Sequence, residues 1–404
     1  MTEEYKEQLF QGLTRGNYCA KYERFNEIRP EDTISLSVAD SCVPVPPPIA
    51  NAITKRAERL TYGYTNTPTQ LIPNISTVLH KRHGVKFTPE EIILSINILF
   101  SLSLCVQTLT KEDEDVLTLE PCYGPFRSII HENNRRLHEF KYGITYDNSK
   151  YGGKLEFDME LFRSTIETLK PKLFMFVNPH NPVFTCFSVQ QLQEINDICV
   201  ENGVALVSDE IHIDLCQPDV DTCSMMSINP DHIVLQAPSK TYGVPGLLLS
   251  YITTKNARYK DMLYSEMKKL HLQYAFSPFA YEAALAAYTD ECEMYRHTLI
   301  EYYMEQSVFT KDFILERLPE SKIIMPQGSF LLHCDLRAYI GDRDSELEVF
   351  LVDEYKLAVT RGSAFGPSMK GCMRINLSCG RTTLIEGLTR MTEGVLSFVA
   401  QDKN

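Results

Sequence analysis

Apolar and polar positions fall into blocks that predict alternating strands and helices through the middle of the chain. Lys172 to Val177 is a short, nearly unbroken apolar run that stops at Asn178-Pro179, the pattern of a strand buried on both faces. Ser188 follows, with Gln191 three residues on, a capping-box pair that opens a helix. Val189, Leu192, Ile195 and Cys199 recur at helical spacing and predict its apolar face, and Asn202-Gly203 predicts a left-handed end. Val204 to Val207 predicts the next buried strand, running into Ser208-Asp209-Glu210. Ile233 to Gln236 predicts another, running into Ala237-Pro238-Ser239-Lys240. Upstream, Ile92 to Leu94 and Val116 to Leu119 predict two more strands, with a helix around Cys105 between them.

Strand, helix, strand, connection, strand is the pattern of an α/β chain with a mostly parallel sheet flanked by helices. At 404 residues the chain exceeds the size at which one core stops growing, so two domains are expected. The larger spans 46–286. The smaller, α+β, combines 1–45 with 287–404, where helix-like Glu346 to Tyr355 precedes strand-like Ala358 to Thr360. The proline-rich Val43 to Pro48 reads as a rigid extended connector.

Composition narrows the function classes. The formal net charge of −13 argues against nucleic acid or an anionic membrane as the main partner, because a polyanion needs a basic footprint. The most apolar long stretch, Ile92 to Val106, is too short and too polar to span a bilayer. The 12 cysteines are scattered, with no CxxC, and the ten histidines form no HExxH, so no metal site is expected. Met1 to Phe10 carries no basic segment followed by an apolar run. With the scattered cysteines, this sets the expectation of reduced thiols in a cytoplasmic protein.

In an open parallel sheet, ligands sit beyond the carboxyl ends of the strands. Three such ends here carry Asn181, then Asp209 and His212, then Ser239 and Lys240. Taken singly they have ordinary explanations: turn asparagines, a capping aspartate, a core histidine, a surface lysine. Together they supply what an aldehyde cofactor with a pyridine ring and a phosphate needs. The amine forms an imine, the carboxylate keeps the ring nitrogen protonated, and donors hold the phenolic oxygen and the phosphate.

Three segments carry a family resemblance: Asn178 to Pro182 (NPHNP), Val207 to Leu215 (VSDEIHIDL) and Ala237 to Gly246 (APSKTYGVPG). They resemble fold-type I pyridoxal-phosphate enzymes of aminotransferase class I/II, and more narrowly the cystathionine β-lyase (C–S β-lyase) branch. Aspartate aminotransferases usually carry tyrosine where His212 stands. Val38-Ala39-Asp40, Tyr62-Gly63-Tyr64, Pro121 to Phe126 and Arg374-Ile375-Asn376 follow in the expected order, so the resemblance covers most of the chain.

The resemblance implies pyridoxal 5′-phosphate held on Lys240 as a Schiff base, with Asp209 on the pyridine nitrogen and Tyr123 stacked on the ring. Asn181 and His212 would serve the phenolic oxygen or support Asp209. Ser239 and the backbone at Asn97 and Ile98 would take the phosphate at a helix N-terminus. Tyr64 would reach the phosphate of a neighbouring subunit in a homodimer with shared sites. Arg374, with Asn181, would bind the α-carboxylate of an amino-acid substrate. Lys240, Tyr123 and Asp209 would carry the chemistry.

The chain also departs from the family pattern. Val183, Phe184 and Thr185 replace the usual threonine, glycine and basic residue. Asn97 stands for a phosphate-loop glycine, whose left-handed backbone asparagine tolerates better than most residues. Gly243 stands for an asparagine, and Ser37 and Cys42 for a tryptophan and a second acid. The activity implied is β-elimination from cystathionine or a related cysteine thioether to pyruvate, ammonia and a thiol. An aminotransferase on the same residues is the alternative. A binding or regulatory protein with impaired catalysis is the other, suggested by Phe184 and Asn97.

Overall fold

The computed structural model describes residues 3–11, 19–22, 32–272 and 275–401. Its central sheet has seven strands: Ile92–Ser95 (β1), Asp115–Glu120 (β2), Arg136–Lys141 (β3), Leu173–Val177 (β4), Ala205–Asp209 (β5), Ile233–Gln236 (β6) and Ser250–Thr253 (β7). The order is β1-β7-β6-β5-β4-β2-β3. Strands β2 to β6 run parallel, and β7 is antiparallel to both its neighbours. The mostly parallel sheet expected from the pattern is therefore present.

Every residue of β4, β5 and β6 is buried, which is why these strands read as continuous apolar runs and not as alternation. Successive side chains still go to opposite layers. Met175, Val207 and Leu235 pack with Ile98 and Leu102 of helix Ile98–Leu109. Phe174, Phe176 and Leu206 pack with Leu192 and Ile195 of helix Val189–Glu201. Ser188 and Gln191 form the expected reciprocal cap, at 3.0 and 3.2 Å, and Gly203 takes the left-handed conformation past the end of the helix (φ 64°).

Three expectations need correction. Val189 is 40 % exposed and not part of the apolar face: it is the first helical residue, ahead of the turn that meets the sheet. The connector Val43 to Pro48 is extended only as far as Pro46. Pro47 and Pro48 begin helix Pro47–Ala57, where a missing N–H costs nothing because the first turn has no partner for it. Ala358 to Thr360 is not one strand. Leu357–Ala358 pairs in parallel with Ile34–Ser35, and Thr360–Arg361 joins a different sheet.

That second sheet is antiparallel, built from Lys322–Ile324 (β8), Leu331–Asp335 (β9), Thr360–Arg361 (β10) and Cys372–Asn376 (β11) in the order β8-β9-β11-β10. Leu332, Met373 and Ile375 pack with Leu384 and Leu388 of helix Arg381–Gln401, which fixes β11 and with it Arg374. No helix among the described residues is long and apolar enough to cross a membrane.

Candidate active site

Parallel pairing brings the chemical groups together. Val177 of β4 is in register with Asp209 of β5, and Asp209 with Leu235 of β6, so the three strands end at one rim. Asn181 follows β4, Asp209 ends β5, and Lys240 lies on the short helix Pro238–Thr241 directly after β6. A cavity of about 270 Å³ opens there. Asn97, Ile98, Tyr123, Asn181, Asp209, His212, Ser239 and Lys240 all line it. Eight of the ten residues anticipated from the sequence thus meet in one place.

The other two stand differently. Arg374, buried on β11, donates from Nη1 to Asn181 Oδ1 at 3.0 Å, and its guanidinium lies 4.7 Å over the Phe365 ring. It joins the site through Asn181. Tyr64 does not line the cavity and is 90 % exposed.

The electrostatics suit a cationic ring beside a carboxylate. Burial pushes the Asp209 carboxyl up to about 7, against the Ile211 N–H it accepts at 3.1 Å and the nearby charge of Lys240. Burial lowers the Lys240 amine to about 8; Arg374 lowers it further, while Asp40 and Asp209 oppose the shift. His212 is held well below the usual histidine range, by burial first and then by the charges of Lys240 and Arg374. It is therefore neutral at neutral pH, with Nδ1 3.2 Å from Ser329 Oγ. Its neighbour Glu210 points elsewhere: it accepts from Ser208 Oγ and the Met225 N–H and so braces the loop behind the site.

These residues fit the pyridoxal phosphate that the resemblance implies. Asp209 is a buried carboxylate whose charge lacks full compensation, which a protonated ring nitrogen would supply. Lys240 offers an amine of lowered basicity. At the helix Ile98–Leu109, Asn97 Oδ1 takes the Phe100 N–H at 2.8 Å, leaving the first-turn N–H groups of Ile98 and Leu99 for an anion. Asn97 does this from an extended backbone, φ −161°. The expected left-handed conformation is therefore absent, because the side chain caps the helix in place of the turn that a glycine would allow.

The departures have local explanations. Phe184 occupies the left-handed region (φ 56°) that favours glycine, and its buried ring meets His212 edge-on at 4.9 Å. Gly243 has φ 69°, and a Cβ there would come within 3.1 Å of Ser41 Cβ, so the small residues at 41 and 243 belong together. Sequence reasoning missed the Ala39 carbonyl, which accepts from Lys240 Nζ, and the apolar rim formed by Leu99 and Leu248. Only the quoted Val38-Ala39-Asp40 segment pointed toward the first, and nothing in the periodicity pointed toward the second.

A wider cleft of about 660 Å³ lies between Arg82, Asp214, Glu293 and Arg296. Its charges already satisfy one another, with Arg82 on Asp214 and Arg296 on Glu293 at 2.5 Å each. The smaller cavity is the one equipped for chemistry.

The chain is similar to known proteins along nearly its whole length. The sequence profile of aminotransferase class I and II matches residues 31–390. Cystathionine beta-lyase PatB of Bacillus subtilis is 29 % identical over 381 residues, covering 93 % of this chain and 96 % of that protein. A pyridoxal-phosphate-bound aminotransferase candidate from Clostridium difficile 630 superposes with a TM-score of 0.88 at 30 % identity, covering 96 % of this chain and 99 % of that one. Cystalysin from Treponema denticola shares the fold, with a TM-score of 0.88 at 24 % identity over 96 % of this chain and 99 % of that one. A chain with Lys240, Asp209 and Asn181 on one sheet rim, matched along nearly its whole length, belongs to the aminotransferase class I and II family.

Proposed function

We propose that this protein is a pyridoxal-phosphate-dependent carbon–sulfur β-lyase that cleaves cystathionine or a related cysteine thioether, with water, to pyruvate, ammonia and a thiol. The observation that carries the reading is the convergence of Lys240, Asp209 and Asn181, with Arg374 behind Asn181, on one cavity. The lyase named among the relatives supports the choice of reaction.

Bound pyridoxal phosphate supplies an electron sink for charge developed at the substrate α-carbon. Asp209 would hold the proton on the ring nitrogen, and its burial would make that pairing strong. Ser239, Asn97 and Ile98 would hold the phosphate, and Tyr123 would cover the ring. Asn181 and neutral His212 set the polar edge of the ring site. Arg374 and Asn181 receive the α-carboxylate, which orients the α-hydrogen toward Lys240. The Lys240 amine takes that proton as general base, and its value of about 8 suits the task near neutral pH. Lys240 or Tyr123 returns a proton to the departing sulfur.

The assembly we propose is a homodimer in which Tyr64 of one protomer completes the phosphate site of the other. The exposure of Tyr64 supports it. The domains we propose are 46–286 and the combination of 1–45 with 287–404. The setting we propose is the cytoplasm, and the 12 free cysteines support that.

The test is to incubate purified protein with cystathionine, and separately with an amino acid plus a keto acid, following pyruvate and free thiol. Thiol and pyruvate released together are expected. The aminotransferase reading, favoured by the name of the Clostridium difficile relative, requires a new keto acid formed in step with a new amino acid and no thiol.

A further inference from the structure

Resting on the role proposed above for Arg374 as the α-carboxylate residue, we infer that Glu120 and Arg127 are positioning residues for that carboxylate. They clamp the loop 362–369 so that the Phe365 ring stays under the Arg374 guanidinium, although neither lines the cavity. Arg374 enters the site from β11 of the smaller sheet, whereas Tyr123, Asn181, Asp209 and Lys240 come from the rim of the larger one. A guanidinium recognises a carboxylate through a planar fork, so its plane must be held as well as its position. Arg374 Nη1 donates to Asn181 Oδ1 at 3.0 Å, and the face of Phe365, 4.7 Å away, sets the plane.

The segment 120–127 grips that loop from the larger sheet. The Phe365 carbonyl accepts from the Cys122 N–H and from Arg127 Nη1, at 2.9 Å each. Glu120, 2 % exposed at the end of β2, accepts on Oε1 from the Ser368 N–H at 3.2 Å and from the Ser368 hydroxyl at 2.8 Å. Gly366 lies between the two side chains with φ 140°. A Cβ there would collide with Glu120 Oε1 and come within 2.8 Å of Arg127 Nη2, so glycine is what lets the loop close on them. The same segment carries Tyr123, which lines the cavity, and Gly124, where a Cβ would lie 3.2 Å from the Ala364 carbonyl. Tyr123 and the ring beneath Arg374 are thereby held at a fixed spacing.

Apolar packing alone would attach the loop; these bonds also fix its direction. A buried carboxylate is costly unless hydrogen-bonded, and Glu120 takes both donors of Ser368. Arg127, on helix Pro125–Glu132, bridges with one planar group: Nε donates to Glu139 Oε1 of β3 at 2.5 Å and Nη1 to the Phe365 carbonyl. Its Nη2 is buried without a hydrogen-bond partner, which is destabilising by itself. The guanidinium keeps this pose because Glu139 and Phe365 fix it from two sides. A lysine, with a single nitrogen, cannot bridge both in the same way.

The test uses the holoenzyme of wild type, Arg127→Met, Arg127→Lys, Glu120→Ala, Glu120→Gln and Arg374→Ala. L-Alanine and ethylamine, which differ only in the α-carboxylate, are each titrated against the visible absorption of the bound cofactor. Arg127→Met should weaken L-alanine about tenfold and leave ethylamine unchanged. Arg127→Lys should recover part of that loss. Glu120→Ala should resemble Arg127→Met, while Glu120→Gln, which keeps an oxygen for Ser368, should stay near wild type. If Arg127→Met does not fold, Phe365→Leu, which keeps bulk but loses the aromatic face, should show the same selective loss. An equal loss for both ligands, or none for either, alongside a selective Arg374→Ala marks a merely structural role and overturns the inference. If Arg374→Ala itself weakens both ligands equally, the role of Arg374 falls and the inference with it. No sulfur leaves in this titration, so its outcome stands apart from the choice between elimination and transamination, which the thiol and keto-acid assay decides.

Discussion

Replacing Asp209 with asparagine is expected to stabilise the cofactor-free protein at neutral and alkaline pH while abolishing its chemistry. Burial raises the Asp209 carboxyl from 3.8 to about 7. The folded chain therefore binds this proton more tightly than the unfolded chain does. The resulting stability is fully present below the ordinary carboxylate value and is lost as pH rises through about 7. A shift of roughly three units, at about 1.36 kcal/mol each, amounts to about 4 kcal/mol withheld at pH 8. Asparagine has the same shape and keeps an oxygen for the Ile211 N–H, 3.1 Å from Asp209 Oδ1, so it sheds the charge without losing that bond. Urea or thermal melts of stripped wild type and Asp209→Asn should show a gain of up to about 4 kcal/mol at pH 8 that shrinks toward pH 5. Adding pyridoxal phosphate should stabilise wild type more than the variant, since only wild type offers a carboxylate to the ring nitrogen. A stripped variant less stable than wild type at pH 8, or a gain independent of pH, would refute the assignment of Asp209 as a buried carboxylate reserved for a cationic ring.

Arg374→Ala should keep the cofactor's colour yet lose about a hundredfold or more in kcat/KM, from two charge-assisted hydrogen bonds at about 1.5 kcal/mol each; Arg374→Lys should recover only part, because an ammonium cannot form the fork. Phe184→Ala should destabilise by about 3–5 kcal/mol through the cavity left beside His212, and Phe184→Gly, measured by urea melts, should prove no worse or slightly better because glycine is at ease at φ 56°. Tyr64→Phe should weaken retention of the cofactor on dialysis while leaving the melting profile of the stripped protein unchanged, as its exposed position implies.

Much of the site was legible because it sits where local pattern is strongest. Buried parallel strands announce themselves as apolar runs, and the residues just beyond β4, β5 and β6 could be named before their neighbours in space were known. The ends of individual elements were less legible. Val189 fits a helical stripe by spacing, yet helical period does not say which turn reaches the sheet. Val43 to Pro48 looks extended, yet proline is as acceptable in a helix's first turn as in a connector. Ala358 to Thr360 looks like one strand because three apolar or β-branched residues say nothing about which partner each will find.

Sequence pattern and motif order thus sufficed for the α/β class, the carboxyl-end rim and the identity of the amine, carboxylate and amide on it, since each depends on a strand and the few residues after it. Other features depend on segments far apart in the chain. Arg374 reaches Asn181 across 193 residues, and Lys240 reaches Ala39 across 201. The proton affinities of Asp209 and Lys240 likewise follow from burial by the whole fold. No local spacing encodes such contacts, because they exist only once two sheets and the turn at Val38 have packed around one cavity.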